Sequence, residues 1–199
     1  MSREGDLEFF NTRLEQSRGV IAALDAHLGT LLKVADLFTT TLEAGGTLFL
    51  CGNGGSAADA QHVAAEFVGR FLRERRPLPA IALTCNTSVL TCIGNDYDYS
   101  QVFSRQVLAH VRRQDCLVGI STSGRSPNVL EALRAARSLG AATVGFTGEP
   151  GEPLGGLCDA CFKAPSDHTP RIQEAHLLAW HLVCDLVEHR LAPMEPSHV

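Results

Sequence analysis

From Leu7 to about Leu42 apolar residues recur at helical spacing (Leu14, Ile21, Leu24, Leu28, Leu31, Leu32, Val34, Leu37), and no proline interrupts them. The spacing predicts one long helix or two, weakened at Gly19 and Gly29. Such a helix needs a partner for its apolar face, so the segment is expected to pack on another helix or another subunit. After Gly45 and Gly46 the period changes. Thr47 to Cys51 is a short apolar run that stops at Gly52, and a helical stretch follows from about Ser56 to Phe71. The same rhythm returns at Ala80 to Thr84, at Cys116 to Ile120 before a helix from about Pro127 to Leu139, at Ala142 to Phe146, and more weakly at Asp159 to Lys163. A final helix is predicted from about Thr169 to Leu191, with Ile172, Leu177, Leu178, Leu182, Val183, Leu186 and Val187 as its apolar positions, and it is expected to meet the N-terminal helices.

Short apolar strands alternating with helices indicate a parallel sheet, because parallel pairing needs crossovers that helices usually supply. The fold class is therefore α/β: a three-layer α/β/α sandwich on a five-stranded parallel sheet. The whole chain, 1–199, reads as one domain with an N-terminal helical extension over about 1–44. With 45% hydrophobic and 20% charged residues the chain has the profile of a globular protein. Its net charge of -5 disfavours a general grip on nucleic acid, although local phosphate sites are compatible with it. No apolar run reaches the eighteen or so residues of a membrane span, and Arg3, Glu4 and Asp6 stand where a secretory signal would be apolar, so a cytoplasmic protein with no membrane partner is expected. The seven cysteines are an odd, scattered set, expected to be mostly small buried hydrophobes. Cys158 and Cys161 form an isolated CxxC whose surroundings, Cys158 to Phe162, read better as a strand.

Two segments stand at the carboxyl ends of predicted strands, where doubly wound sheets bind their ligands. The first is Cys51-Gly-Asn-Gly-Gly-Ser-Ala-Ala-Asp59, which lacks the Gly-Lys-Ser/Thr of a Walker loop and the spacing of a dinucleotide fingerprint. Ser56 falls near a helix N-terminus, where free N–H groups favour an anion. The second is Ile120-Ser-Thr-Ser-Gly-Arg-Ser-Pro-Asn128, whose hydroxyls surround Gly124 directly before a helix that Pro127 can begin. Either loop alone could be a glycine turn with a serine cap. Two of them, after different strands, point to a phosphate ester. On the helix after the first loop, His62 and Glu66 are four residues apart and share a face; on the final helix, Gln173 and His181 are eight apart, a rotation of roughly 80°. Taken alone, a His and Glu at that spacing are more often a solvated pair than a metal site. His176, on another face, reads as a packing or surface residue, and Trp180 as a core or interface anchor.

The string Ser121-Thr-Ser-Gly-Arg-Ser126 resembles the phosphate-binding serine loop of SIS domains, which are flavodoxin-like and bind phosphosugars. Together with Cys51 to His62, Gly94-Asn-Asp96 and Arg171-Ile-Gln-Glu-Ala-His176, it is similar to the bacterial phosphoheptose isomerases. The resemblance implies isomerisation of sedoheptulose 7-phosphate to D-glycero-D-manno-heptose 7-phosphate, the first step of ADP- or GDP-heptose biosynthesis. It implies one zinc per subunit, held by His62, Glu66, Gln173 and His181. Asn53, Gly54, Gly55, Ser56, Glu66, Asn95, Asp96, Ser121, Thr122, Ser123, Ser126 and Gln173 would line the sugar-phosphate site. Glu66 would be the base for the carbon proton and His181 the acid/base for the oxygens. Whether Glu66 binds metal or acts as a free base stays open at this point. The resemblance also implies a homotetramer built on a bundle of terminal helices, with a neighbouring subunit completing each pocket. Two rivals share the fold: a regulator that binds the replication initiator protein, and an isomerase of another sugar phosphate.

Overall fold

The structure, a computed structural model, describes residues 3–192; the first two residues of the expected N-terminal extension and residues 193–199 of the expected domain lie outside the described residues. Its helices are α1 (Arg3–Ala22), α2 (Leu28–Glu43), α3 (Gly55–Val68), α4 (Thr87–Asp96), α5 (Ser104–His110), α6 (Pro127–Ser138) and α7 (Thr169–Leu191). Five strands, β1 (Leu48–Gly52), β2 (Ala80–Ala82), β3 (Cys116–Ile120), β4 (Ala142–Thr147) and β5 (Ala160–Lys163), form one sheet in the order β2-β1-β3-β4-β5. Every pairing is parallel, as expected, with Leu48 opposite Cys116 and Cys116 opposite Ala142.

All residues of β1 and β3 are buried, which is why these strands appear in the sequence as unbroken apolar runs with no alternation. Successive side chains feed two cores. Leu48, Leu50, Val118, Ile120, Val144 and Phe146 pack with α2, α3 and α7, whereas Phe49, Cys51 and Leu117 pack with α5 and α6. In the first core the Trp180 ring lies stacked 3.6 Å from Phe146 and also faces Phe38 of α2, which ties the last helix to both the sheet and the N-terminal layer.

Of the one helix or two expected at the N-terminus the structure has two, of different character, separated by a 3₁₀ turn at Ala23–His27 that falls between the two glycines and buries Leu24. Helix α2 buries Leu31, Val34, Phe38 and Leu42. Helix α1 buries nothing; Leu7, Phe9, Phe10, Leu14 and Ile21 are all exposed. It meets α7 through polar contacts, Ser17 donating to Glu174 at 2.8 Å and Arg171 to the Arg13 carbonyl at 2.6 Å.

Other elements differ from expectation for local reasons. Residues 85–115 carry no strong period, because α4 buries only Ile93 and α5 is seven residues long. The last strand starts at Ala160, since Cys158 closes a 3₁₀ turn at Gly155–Leu157 and its thiol donates to the Leu154 carbonyl. Only Cys51, Cys116 and Cys184 are buried; Cys158 and Cys161 are half-buried, and Cys85 and Cys92 are exposed, so the expectation of mostly buried cysteines is corrected.

Candidate active site

β1 and β3 lie side by side at the centre of the sheet, while the chain leaves β1 towards one edge and β3 towards the other. That is the switch point at which a doubly wound sheet opens a crevice. Both phosphate-loop candidates spring from it. They are joined by a reciprocal amide pair: Asn53 donates to Asn128 at 2.9 Å, and Asn128 donates back at 2.8 Å. Asn128 was missed in the sequence because its partner lies on another strand's loop.

In the serine loop Gly124 has φ +66°, and a Cβ there would lie 2.9 Å from the backbone of Gly151, so only glycine lets the two segments touch. Backbone bonds from Ser121 to Phe146, from Gly148 to Thr122 and from Leu154 to Gly124 fix the loop against β4 and the segment after it. The buried Ser121 hydroxyl pairs with Ser126 at 2.9 Å and lies 3.4 Å from Ser123. Ser126 stands at the N-cap of α6, with Pro127 starting the helix, but its side chain makes no capping bond. In the first loop the N-cap of α3 is Gly54, again with no side-chain cap, and Ser56 is buried beneath Gly52. The serine-cap explanation therefore fails for both loops. A cavity of about 240 Å³ adjoins the serine loop, lined by Thr122, Ser123, Arg125, Glu149, Asp167 and Thr169 among others.

The titratable groups gather on the helical layer. His62 Nε2 lies 2.9 Å from Glu66 Oε1, and the His62 ring stands edge-on to that of His181, centroids 5.4 Å apart. The Phe71 ring lies over His181 at 5.3 Å. On α7 the Cys184 thiol is raised far above its usual range, chiefly by burial and also by the negative charges of Glu66 and Glu188. Gln173 does not join the histidines. Its amide lies against Gly55, where a Cβ would come within 2.3 Å of Nε2, about two helical turns from His181.

Asn95 and Asp96 lie exposed at the end of α4, bonded to each other at 2.8 Å, with Cys92 on Asp96; among the described residues they make no hydrogen bond to either loop. Asp59 was overlooked in the sequence, though it precedes His62 by three residues on α3. Burial raises its pKa, the neighbouring His62 opposes this, and its Oδ2 is buried without a partner among the described residues. His176 packs as expected: it is buried, with Nε2 3.1 Å from the Thr147 carbonyl, and burial pushes its pKa down to about 4.

A family model of the SIS domain matches residues 14–148, which covers the sheet centre and both loops. The phosphoheptose isomerase of Burkholderia pseudomallei (strain 1710b) is 50% identical over 189 residues, 94% of this chain and 96% of that protein. The phosphoheptose isomerase of Roseiflexus sp. (strain RS-1) is 56% identical over 161 residues, 81% of this chain and 82% of that one. The chain belongs to the phosphoheptose isomerase family. A solved phosphoheptose isomerase from Francisella tularensis superposes with TM-score 0.90 at 35% identity, covering 95% of this chain and all of that one. Another phosphoheptose isomerase, from Neisseria gonorrhoeae, gives 0.86 at 40% identity, over 92% of this chain and 98% of that one. The share of the chain left uncovered by these two structures is shorter than either α1 or α7, so the likeness extends into the helical layer.

Proposed function

We propose that this chain interconverts sedoheptulose 7-phosphate and D-glycero-D-manno-heptose 7-phosphate through an enediol. The observation that carries the reading is the gathering of loop hydroxyls, none of them used as a helix cap, at the switch point together with a base and two imidazoles on the helices beside it. Membership of the phosphoheptose isomerase family favours this over a replication regulator or an isomerase of another sugar phosphate. Ser121, Thr122, Ser123 and Ser126 hold the phosphate, with Asn53, Gly54 and Gly55 along the chain of the sugar and the Gln173 amide on its hydroxyls. Glu66 removes a proton from C1 as His181 protonates the C2 oxygen, giving the enediol. Glu66 then returns its proton at C2 while His181 takes the proton from the C1 oxygen, which leaves an aldehyde at C1 and restores both groups.

Zinc belongs to this proposal. His62, Glu66 and His181 are of the right donor type and adjoin one another, whereas the Gln173 amide, the fourth donor of this proposal, lies against Gly55 and would have to turn from it to reach the same ion. As arranged, no group of three or more His, Cys, Asp or Glu side chains among the described residues is gathered to hold a metal, and His62 is bonded to Glu66. A bound zinc would take the place of that hydrogen bond. When bound it would polarise the carbonyl and stabilise the enediolate. Metal analysis of the purified protein, before and after chelation, measures its stoichiometry; one per subunit is expected.

The active unit is a homotetramer in this reading. The exposed Leu7, Phe9, Phe10, Leu14 and Ile21 of α1 exceed what scattered surface residues explain, and the 240 Å³ cavity is smaller than the roughly 300–1,000 Å³ of a small-molecule site. A neighbouring subunit would cover the first and enlarge the second. Among the described residues no helix is long and apolar enough to cross a membrane, in keeping with a cytoplasmic biosynthetic enzyme. Incubation with a panel of ketose phosphates, following aldose formation, tests the activity: turnover of the seven-carbon substrate is expected. Specific binding of a replication initiator with no turnover of any ketose phosphate would overturn it. Light scattering should give four times the 21.4 kDa chain mass, and full activity in a monomer would defeat the shared pocket.

A further inference from the structure

Two buried charges have no part in the chemistry above. The side chains of Arg75 and Glu188 are each 1% exposed, with Arg75 Nε 3.3 Å from Glu188 Oε1. Removing such a pair from water is costly unless its other donors and lone pairs are also satisfied. Here most of them are engaged, although Arg75 Nε itself makes no hydrogen bond among the described residues. Glu188 accepts backbone N–H bonds from Phe71 at 2.9 Å, Leu72 at 2.6 Å and Arg73 at 2.7 Å. Arg75 donates to the carbonyls of Glu66 at 2.7 Å, Phe67 at 2.8 Å, Gly69 at 3.0 Å and Arg76 at 3.1 Å. Burial works against the charge of Glu188, but the three N–H donors and Arg75 hold its carboxyl below the ordinary range.

These bonds converge on the elements that carry the proposed acid and base. Arg75 closes the last turn of α3 by binding the carbonyl of Glu66 itself, where a cation also suits the helix dipole. Glu188 lies two turns beyond His181 on the same face of α7 and secures the segment whose Phe71 ring lies on His181. Apolar residues of similar volume would fill the space without the desolvation cost. They could not hold three N–H groups and four carbonyls in register.

We propose that Arg75 and Glu188 form a positioning pair that sets Glu66 and His181 against each other, through the Glu66 backbone on one side and the Phe71 ring on the other. The pair touches no substrate, and the proposal rests on the isomerase reading of Glu66 and His181. Misplacement of reacting groups by about 1 Å costs on the order of a hundredfold in rate. Glu188→Gln keeps the shape and loses the charge. Its kcat should fall about 10- to 100-fold with KM within about twofold, while the thermal transition stays cooperative and calorimetric phosphosugar affinity is unchanged. Phe71→Leu leaves the ion pair intact and should reproduce part of the kcat loss, which decides the matter should Glu188→Gln fail to fold. Values of kcat within about twofold of wild type in the folded variants would overturn the positioning role. So would a loss of kcat that tracks loss of folded protein. A wild-type protein without isomerase activity would overturn the functional reading as well, so the two failures are distinguishable.

Discussion

In the serine loop Ser121 is buried and bonded to Ser126, Gly124 rests on the backbone of Gly151, and three main-chain bonds fasten the loop to β4 and to residues 148–154 beyond it. On the helical side the His62 side chain is 41% exposed, and its hydrogen bond is to Glu66 one turn away. The backbone of the phosphate loop is thus fixed within one chain by contacts that leave it little freedom. The reacting end depends on rotamers of side chains on two helices, and on whatever covers the apolar face of α1. Loops at the carboxyl ends of central strands can prebuild an anion site, because main-chain groups supply both the scaffold and many of the donors. General acid–base chemistry needs side chains, and side chains need surroundings to hold them.

The sharpest way to test this division is Glu66→Gln. It should lower kcat by about 10³-fold while calorimetric phosphosugar binding survives, since the isostere keeps the shape and removes the proton acceptor. Turnover within about tenfold of wild type would remove Glu66 as the base and leave the two regions undistinguished. Next in size is an acid effect on the fixed side, where His176 is bonded to the Thr147 carbonyl at the end of β4. Folded His176 takes up a proton only near pH 4, and the unfolded chain does so near 6.5, so stability present above 6.5 declines as pH falls towards 4. The loss is on the order of 3 kcal/mol, read as a falling denaturation midpoint, and His176→Gln should be nearly immune to it. An equal decline in that variant would assign the acid sensitivity to other groups. The smallest effect belongs to a single phosphate donor. Ser123→Ala should raise KM about tenfold with kcat little changed, because the phosphate is held alike in ground and transition states. An unchanged KM would put the phosphate elsewhere.

The central strands were legible because burial on both faces makes a parallel strand a continuous apolar run, and β3 was found to the residue. The serine loop was legible for a related reason: its hydroxyls are contiguous in sequence. Helix α4 was not, since a helix that buries only Ile93 leaves no stripe to recognise. The pairing of Asn53 with Asn128 spans 75 positions, and the bond from Phe71 to Glu188 spans 117, so nothing local marks them. Asp59 is an intermediate case, with a visible spacing to His62 but a significance that comes only from burial of its oxygen. The break between α1 and α2 was half-legible: the pattern allowed two helices and weakened at Gly19 and Gly29, between which the turn falls, but the apolar period continues across it and does not mark its position.

The amide pair between the two loops bears on the chemical ageing of the protein. Asn53 is followed by Gly54, the type of step at which a backbone nitrogen most readily attacks the side-chain amide and converts asparagine to aspartate. Here that amide is held by both its oxygen and its nitrogen in a ring with Asn128. The attack must first open the ring and separate the two loops. Folded protein should therefore deamidate at Asn53 far more slowly than the same peptide released by digestion, a contrast that mass spectrometry of stored samples can measure. Equal rates would mean that the ring opens freely. The contact that joins the loops in space is thus also a preservative for the most perishable bond in the site.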